Sequence, residues 1–150
     1  MKKKILILGG TGFLGKNLLN FLVKIDKFDL YCLTKKKIVT RNNKIKYIQC
    51  NIKNHKNILN KLKSQTFNYV INFSGNINHH DKKDTFEAHY RNLVNIVKYI
   101  KKTKSDLLIQ IGSSLEYGKK DSPHLESLTC KPVSYYGKAK NLASEFIKKN

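Results

Sequence analysis

The chain has 150 residues, 40% of them hydrophobic, which suffices for one domain with a sizeable core. Its formal charge of +20 comes from 30 basic and 10 acidic residues, but only Arg41 and Arg91 are arginine and the lysines are scattered. Recognition of phosphates and bases draws on the guanidinium fork, so this charge argues against a nucleic-acid binder. Cys32, Cys50 and Cys130 form no C-x-x-C pair and suit a reducing, cytoplasmic setting better than a disulfide framework or a metal site. The start, "MKKKILILGGTGFLGK", has too short an apolar run for a signal peptide, and no stretch approaches a membrane span.

Apolar runs alternate with helical patterns along the chain. "KILIL" (4–8) is uniformly apolar and stops at Gly9-Gly10, as expected of a strand buried on both faces. Leu14, Leu18, Phe21, Leu22 and Ile25 recur at helical spacing over 13–25. Strands are expected at 29–34 and 45–50, joined by the polar stretch "KKKIVTRNNK" with a possible short element. A helix over 55–65 and a strand over 67–75 follow. Next come a long helix over 84–103, a strand over 106–114 and a loop holding Pro123 and Pro132. A last helix runs from Ser134, a good N-cap. The alternation predicts an α/β fold: a doubly wound parallel sheet of Rossmann type. Its five strands lie in the order 3-2-1-4-5, with helices on both faces.

Ligands of such sheets bind beyond the carboxyl ends of the strands, and three motifs lie there. In "GGTGFLG" (9–15), Gly9 lets the chain turn, Gly12 lets the backbone approach a pyrophosphate, and Gly15 lets the helix pack on the sheet. The helix start at Phe13 and Leu14 then offers free N–H groups to phosphate. "GSSLEYG" (112–118) brings hydroxyls to the end of the fifth strand. In "SYYGKAK" (134–140), Tyr136 and Lys140 have the i, i+4 spacing of one helix face. Tyr135 has its own neighbour in Lys138. An ammonium beside a phenol favours the phenolate, making such a tyrosine a usable acid and base. "NHHD" (78–81) reads as a polar loop rather than a metal site, because adjacent histidines in a tight turn rarely share one ion.

Together these motifs resemble the N-terminal half of the extended short-chain dehydrogenases/reductases, the NAD(P)-dependent nucleotide-sugar epimerase/dehydratase family. "GGTGFLG", "VINFSG", the Ser-rich loop ending in Tyr-Gly, and "PVSYYGKAK" carry the likeness over essentially all 150 residues. The resemblance implies Ser113, Tyr136 and Lys140 as catalytic residues. Tyr136 is then the acid/base, and Lys140 holds the nicotinamide ribose and tunes the tyrosine. It further implies cofactor contacts from Gly9, Gly12, Phe13, Leu14, Gly15, Thr34, Lys35, Asn51, Ile52, Phe73, Ser74 and Gly75, besides Tyr136 and Lys140. Ser114, His79 and His89 are candidates on the substrate side. Asn51 replaces the usual Asp near the adenine, and His89 stands where the long helix usually carries Asn. Ser114 and Leu115 hold the places of the dehydratase acid and base, which favours ketone reduction or epimerisation; Glu116 reads as a loop residue.

The implied activity is that of a 4-keto reductase or 4-epimerase acting on a nucleotide sugar; a non-catalytic dinucleotide sensor of the same fold is the alternative. The second strand ends in "LTKKK" without a carboxylate, which favours NADP over NAD. The family likeness also implies a cytoplasmic homodimer built on the 84–103 and 134–150 helices. Residues 1–150 then form a truncated NAD(P)-binding domain whose C-terminal substrate-binding part is absent.

Overall fold

Ile5, Leu6, Ile7 and Leu8 are all buried, and successive residues of a strand point to opposite faces, so this strand demands cover on both sides. In the computed structural model, which describes residues 1–38, 42–63 and 65–150, it receives that cover. Leu6 and Leu8 join one apolar cluster; Ile5 and Ile7 join another. The chain divides into two compact units, residues 1–74 with 95–110 and residues 75–94 with 111–150.

The first unit holds five parallel strands: β1 (Lys3–Leu8), β2 (Phe28–Thr34), β3 (Ile45–Gln49), β4 (Tyr69–Asn72) and β5 (Leu107–Gln110). Their order is β3-β2-β1-β4-β5. Ile5 pairs with Leu30 on one side and Tyr69 on the other, and Tyr69 pairs with Leu107. Helix α1 (Phe13–Ile25) covers one face through Leu19 and Leu22, against Ile5, Ile7, Leu30, Cys32 and Ile45. Helix α2 (His55–Leu62) contributes Ile58 and Leu62 to the other face. Ile96 and Tyr99, from the long helix after β4, complete that cluster around Phe67 and Tyr31, whose rings meet edge to face at 5.1 Å. Tyr99 is fully buried, and its hydroxyl donates to the Gln65 carbonyl, so the ring is covered without an orphaned O–H. Each such buried side chain contributes about 1.5–3 kcal/mol of apolar transfer.

Strands four and five are shorter than their apolar runs predict, and hydrogen bonds explain where they stop. The one expected over 67–75 stops at Asn72, because its Oδ1 accepts from the Ser74 N–H at 3.0 Å and hydroxyl at 2.5 Å, closing an Asx turn. The one expected over 106–114 stops at Gln110, beyond which side chains engage the Ile111 carbonyl and the Ser113 amide. Part of the element considered over 35–44, and Ser64 of the helix read as 55–65, lie outside the described residues.

The second unit is helical. The single helix expected over 84–103 is three pieces: α3 (Lys82–Phe86), a π-helical turn (Glu87–Arg91) and α4 (Asn92–Thr103), whose residues from Asn95 onward belong to the first unit. Asp81 caps α3 by accepting from the Asp84 N–H at 2.9 Å, and the Asn92 N–H reaches Glu87 O to close the wide turn. Ser114–Glu116 form a short 3-10 turn. Helix α5 (Tyr135–Lys148) starts at Ser134, whose Oγ accepts from the Gly137 N–H at 3.0 Å. Among the described residues no helix is long and apolar enough to cross a membrane.

Candidate active site

In the first unit, Gly9 sits at φ +71, where a side chain is strained, and an added Cβ would stand 2.7 Å from the Phe73 carbonyl carbon. The Gly12 N–H returns to Gly9 O at 3.0 Å and closes the turn into α1. Among the described residues no side chain caps α1, and no acidic residue stands in its first turn to meet the positive dipole end. Among the described residues, a Cβ on exposed Gly12 would meet within 4 Å only Gly9 O, at 3.3 Å. Phe13 and Leu14 are exposed, and Gly15 is buried. These groups fit a diphosphate: N–H donors at the helix start, a favourable dipole and an exposed glycine.

The other cofactor candidates of this unit lie at strand ends. Thr34 closes β2, buried, with Oγ1 accepting from the Lys36 N–H at 3.2 Å; Lys35 is exposed. Asn51 is exposed and accepts from the Lys53 N–H at 3.1 Å, while the half-buried Ile52 accepts from Asn95 Nδ2 at 3.0 Å. Phe73 bonds through its N–H to Leu8 O at 3.0 Å, and Ser74 belongs to the Asx turn of Asn72. Gly75 is exposed and opens the second unit.

In the second unit, Tyr136 and Lys140 share one face of α5. Lys140 is 6% exposed; its Nζ donates to the Ile111 carbonyl at 2.6 Å and lies 5.8 Å from the Tyr136 ring centroid. Burial pushes the Lys140 pKa down, and the Glu116 carboxylate opposes that shift. Tyr136 is half-buried between two imidazoles: His79 stacks on it at 4.2 Å and 17°, and His89 meets it edge-on at 4.8 Å and 84°. Tyr135 faces elsewhere, 44% exposed, with the Lys82 ammonium 4.3 Å from its ring centroid.

Both histidines are held by Asn76. His79 Nε2 lies 2.8 Å from the Asn76 carbonyl, and His89 Nε2 lies 3.0 Å from Asn76 Oδ1 and 3.2 Å from the carbonyl. Carbonyl oxygens only accept, so both rings donate through Nε2. His89 is buried, which lowers its pKa to about 4, with the Lys140 charge adding to the effect. It is therefore neutral at pH 7, and its buried Nδ1 has no hydrogen-bond partner among the described residues.

Ser113 precedes the 3-10 turn and its Oγ accepts from the Leu115 N–H at 3.3 Å. The turn packs against the start of α5: a Cβ on Gly137 would stand 2.5 Å from Leu115 O, so only glycine allows this approach. Ser114 is exposed. Sequence reasoning missed two residues here. Glu116, read as a loop residue, is buried and accepts from the Ser113 N–H and the Ser144 hydroxyl, both at 2.7 Å. Its signal was present, since "SSLE" has the S-x-x-E spacing of a capping box. Asn92, just past the π turn, is buried with Oδ1 unpartnered among the described residues, and no local pattern announces it.

Residues 5–149 match the family model described as "NAD dependent epimerase/dehydratase family". No curated protein matches the chain. Among solved structures, the Bordetella bronchiseptica enzyme WbmG in complex with NAD is similar with a TM-score of 0.89 at 18% identity, over 100% of this chain and 50% of that one. The UDP-Glc/GlcNAc 4-epimerase of Campylobacter jejuni aligns with a TM-score of 0.86 at 18% identity, over 98% and 48%. The Helicobacter pylori ADP-L-glycero-D-manno-heptose-6-epimerase gives 0.83 at 22%, over 99% and 51%. The chain thus spans about half the length of the structures that it matches.

Proposed function

The chain belongs to the NAD dependent epimerase/dehydratase family, and on that premise we propose that it serves an NAD(P)-dependent oxidoreductase acting on a nucleotide-activated sugar, as a 4-epimerase or 4-keto reductase. The observation that carries this reading is the arrangement on α5, where a half-buried Tyr136 has the buried Lys140 ammonium 5.8 Å from its ring. In this reading Tyr136 gives a proton to the sugar oxygen, or takes one from it, beside the positive charge of Lys140. Ser113 Oγ already accepts from Leu115, so its own O–H is free to donate to that oxygen and orient it.

Gly9, Gly12, Phe13, Leu14 and Gly15 would hold the diphosphate of the dinucleotide, Thr34 and Lys35 its adenosine ribose, and Asn51 and Ile52 its adenine. When bound, the nicotinamide accepts hydride from a sugar carbon or returns it. The exposed Lys35, with no carboxylate after β2, supports acceptance of a 2′-phosphate and hence NADP over NAD. Dehydration is disfavoured because Ser114 and Leu115 carry no carboxyl group and Glu116 is turned into the protein.

A separate substrate-binding part, and a homodimer through the 84–103 and 134–150 helices, belong to the same reading of the whole protein. The test is to incubate the full-length protein with each reduced or oxidised cofactor and a panel of UDP- and ADP-sugars, resolving the products by NMR. Epimerised or reduced sugar is expected, and no conversion across the panel would overturn the reading.

A further inference from the structure

A buried carboxylate is costly unless its charge is met by donors or by a cation. Glu116 is 6% exposed, and its two oxygens serve different partners. Oε1 accepts from the Ser113 N–H and Oε2 from the Ser144 hydroxyl, each at 2.7 Å. Ser144 lies one turn beyond Lys140 on α5, so the carboxylate bridges the Ser113 loop to the helix that carries Tyr136 and Lys140. The cap also orients Ser113, because its Oγ accepts from the Leu115 N–H while its O–H stays able to donate.

Two neutral donors alone do not call for a charge; a glutamine could span the same gap. What a carboxylate adds is charge, and it is bonded to Ser144, one helical turn from the buried Lys140 on α5. Among the described residues, the charged and titratable groups that bear on Lys140 are Glu116 on the 3-10 turn, Tyr136 on its own helix, and His89 on the π turn, which is neutral at pH 7. Glu116 is the anion in that set, and it opposes the burial that favours a neutral Lys140.

We propose that Glu116 is a positioning residue: its carboxylate fastens the Ser113 loop to α5 and supplies the counter-charge for Lys140. This deepens the oxidoreductase reading and rests on it for the meaning of Ser113 and Lys140, but its test on the 150-residue chain does not need turnover. Glu116→Gln keeps the size and one acceptor and removes the charge. With Lys140 Nζ followed by 15N NMR, Glu116→Gln should lower the Lys140 titration midpoint while the thermal melt stays close to that of the parent. Ser144→Ala keeps the charge, so it should leave that midpoint in place while broadening or shifting the Ser113 amide resonance.

In the full-length enzyme Glu116→Gln should cost about tenfold or more in kcat with little change in KM, and Glu116→Asp should restore part of it. An unmoved Lys140 midpoint in folded Glu116→Gln would overturn the proposal. If Glu116→Gln does not fold, an unperturbed Ser113 amide in Ser144→Ala does the same. A shifted midpoint in a protein that converts no nucleotide sugar would leave the clamp standing and remove the oxidoreductase reading.

Discussion

Lys140 Nζ and the Ile111 carbonyl oxygen stand 2.6 Å apart across 29 residues of sequence. The bond ties the Ile111 carbonyl to the middle of α5 within the second unit. A short bond from a buried ammonium is directional, so the carbonyl helps fix where the Lys140 charge lies relative to the Tyr136 ring.

The two adjacent tyrosines should therefore behave differently. In turnover assays of the full-length protein, Tyr136→Phe is expected to lose about 10²–10⁴-fold in kcat, the usual contribution of a positioned acid/base. Tyr135→Phe, which alters only an exposed ring beside Lys82, should stay within a few fold. Equal losses, or a larger loss at Tyr135, would refute the assignment.

Cofactor choice is testable on the 150-residue chain. Fluorescence titration should give tighter binding of NADPH than of NADH, and Lys35→Ala should erase most of the difference by weakening NADPH alone. Tighter NADH binding that ignores Lys35→Ala would mean that the exposed lysine plays no part.

His89 makes stability depend on pH in a definite window. Its pKa falls from an ordinary 6.5 to about 4 on folding, so between those values the unfolded chain takes up a proton that the folded chain refuses. Above about pH 6.5 both states are neutral here and the residue adds no slope. As pH falls from there to about 4, it should remove about 3 kcal/mol of stability, which is then lost in full. Urea unfolding of the parent and of His89→Gln from pH 7 to 4 should give curves that converge toward acid; parallel curves would contradict the buried, neutral assignment.

Gly137→Ala provides a test by sign. In an ordinary helix this change stabilises by about 1 kcal/mol. Here the new Cβ would press on Leu115 O at 2.5 Å, so destabilisation of about 1–3 kcal/mol is expected by urea unfolding. The exposed neighbour Lys138→Ala serves as the control. A stabilised Gly137→Ala would show that the 3-10 turn does not lean on α5.

The sheet was legible because its strands are apolar runs closed by glycine or polar residues, and α1 because Leu18, Leu22 and Ile25 keep helical period. Ser134 was legible as a cap for the same local reason. What escaped depends on distant partners. Nothing in "FEAHYRN" signals a wide turn, since no proline or glycine marks it. The strand end at Asn72 depends on a side chain folding back two residues, which alternation of apolar residues does not reveal. Glu116 lay within reach of a local rule, but its burial depends on Ser144, 28 residues away. The pairing of His79 with Tyr136 joins a loop to a helix 57 positions later and has no local signature.

The outer strand β5 leaves Leu107 and Ile109 49% and 40% exposed on the last rung of the sheet, in a chain of charge +20. These two facts oppose each other in solution. Mutual repulsion between copies reaches about 10 Å at 0.1 M salt but only about 3 Å at 1 M, whereas apolar contact through the exposed Leu107 and Ile109 side chains is not weakened by salt. Self-association of the 150-residue chain should therefore grow as salt is added, visible as a rising light-scattering mass. That trend is the opposite of a polycation releasing a nucleic acid, so one salt series separates crowding at β5 from charge-driven binding.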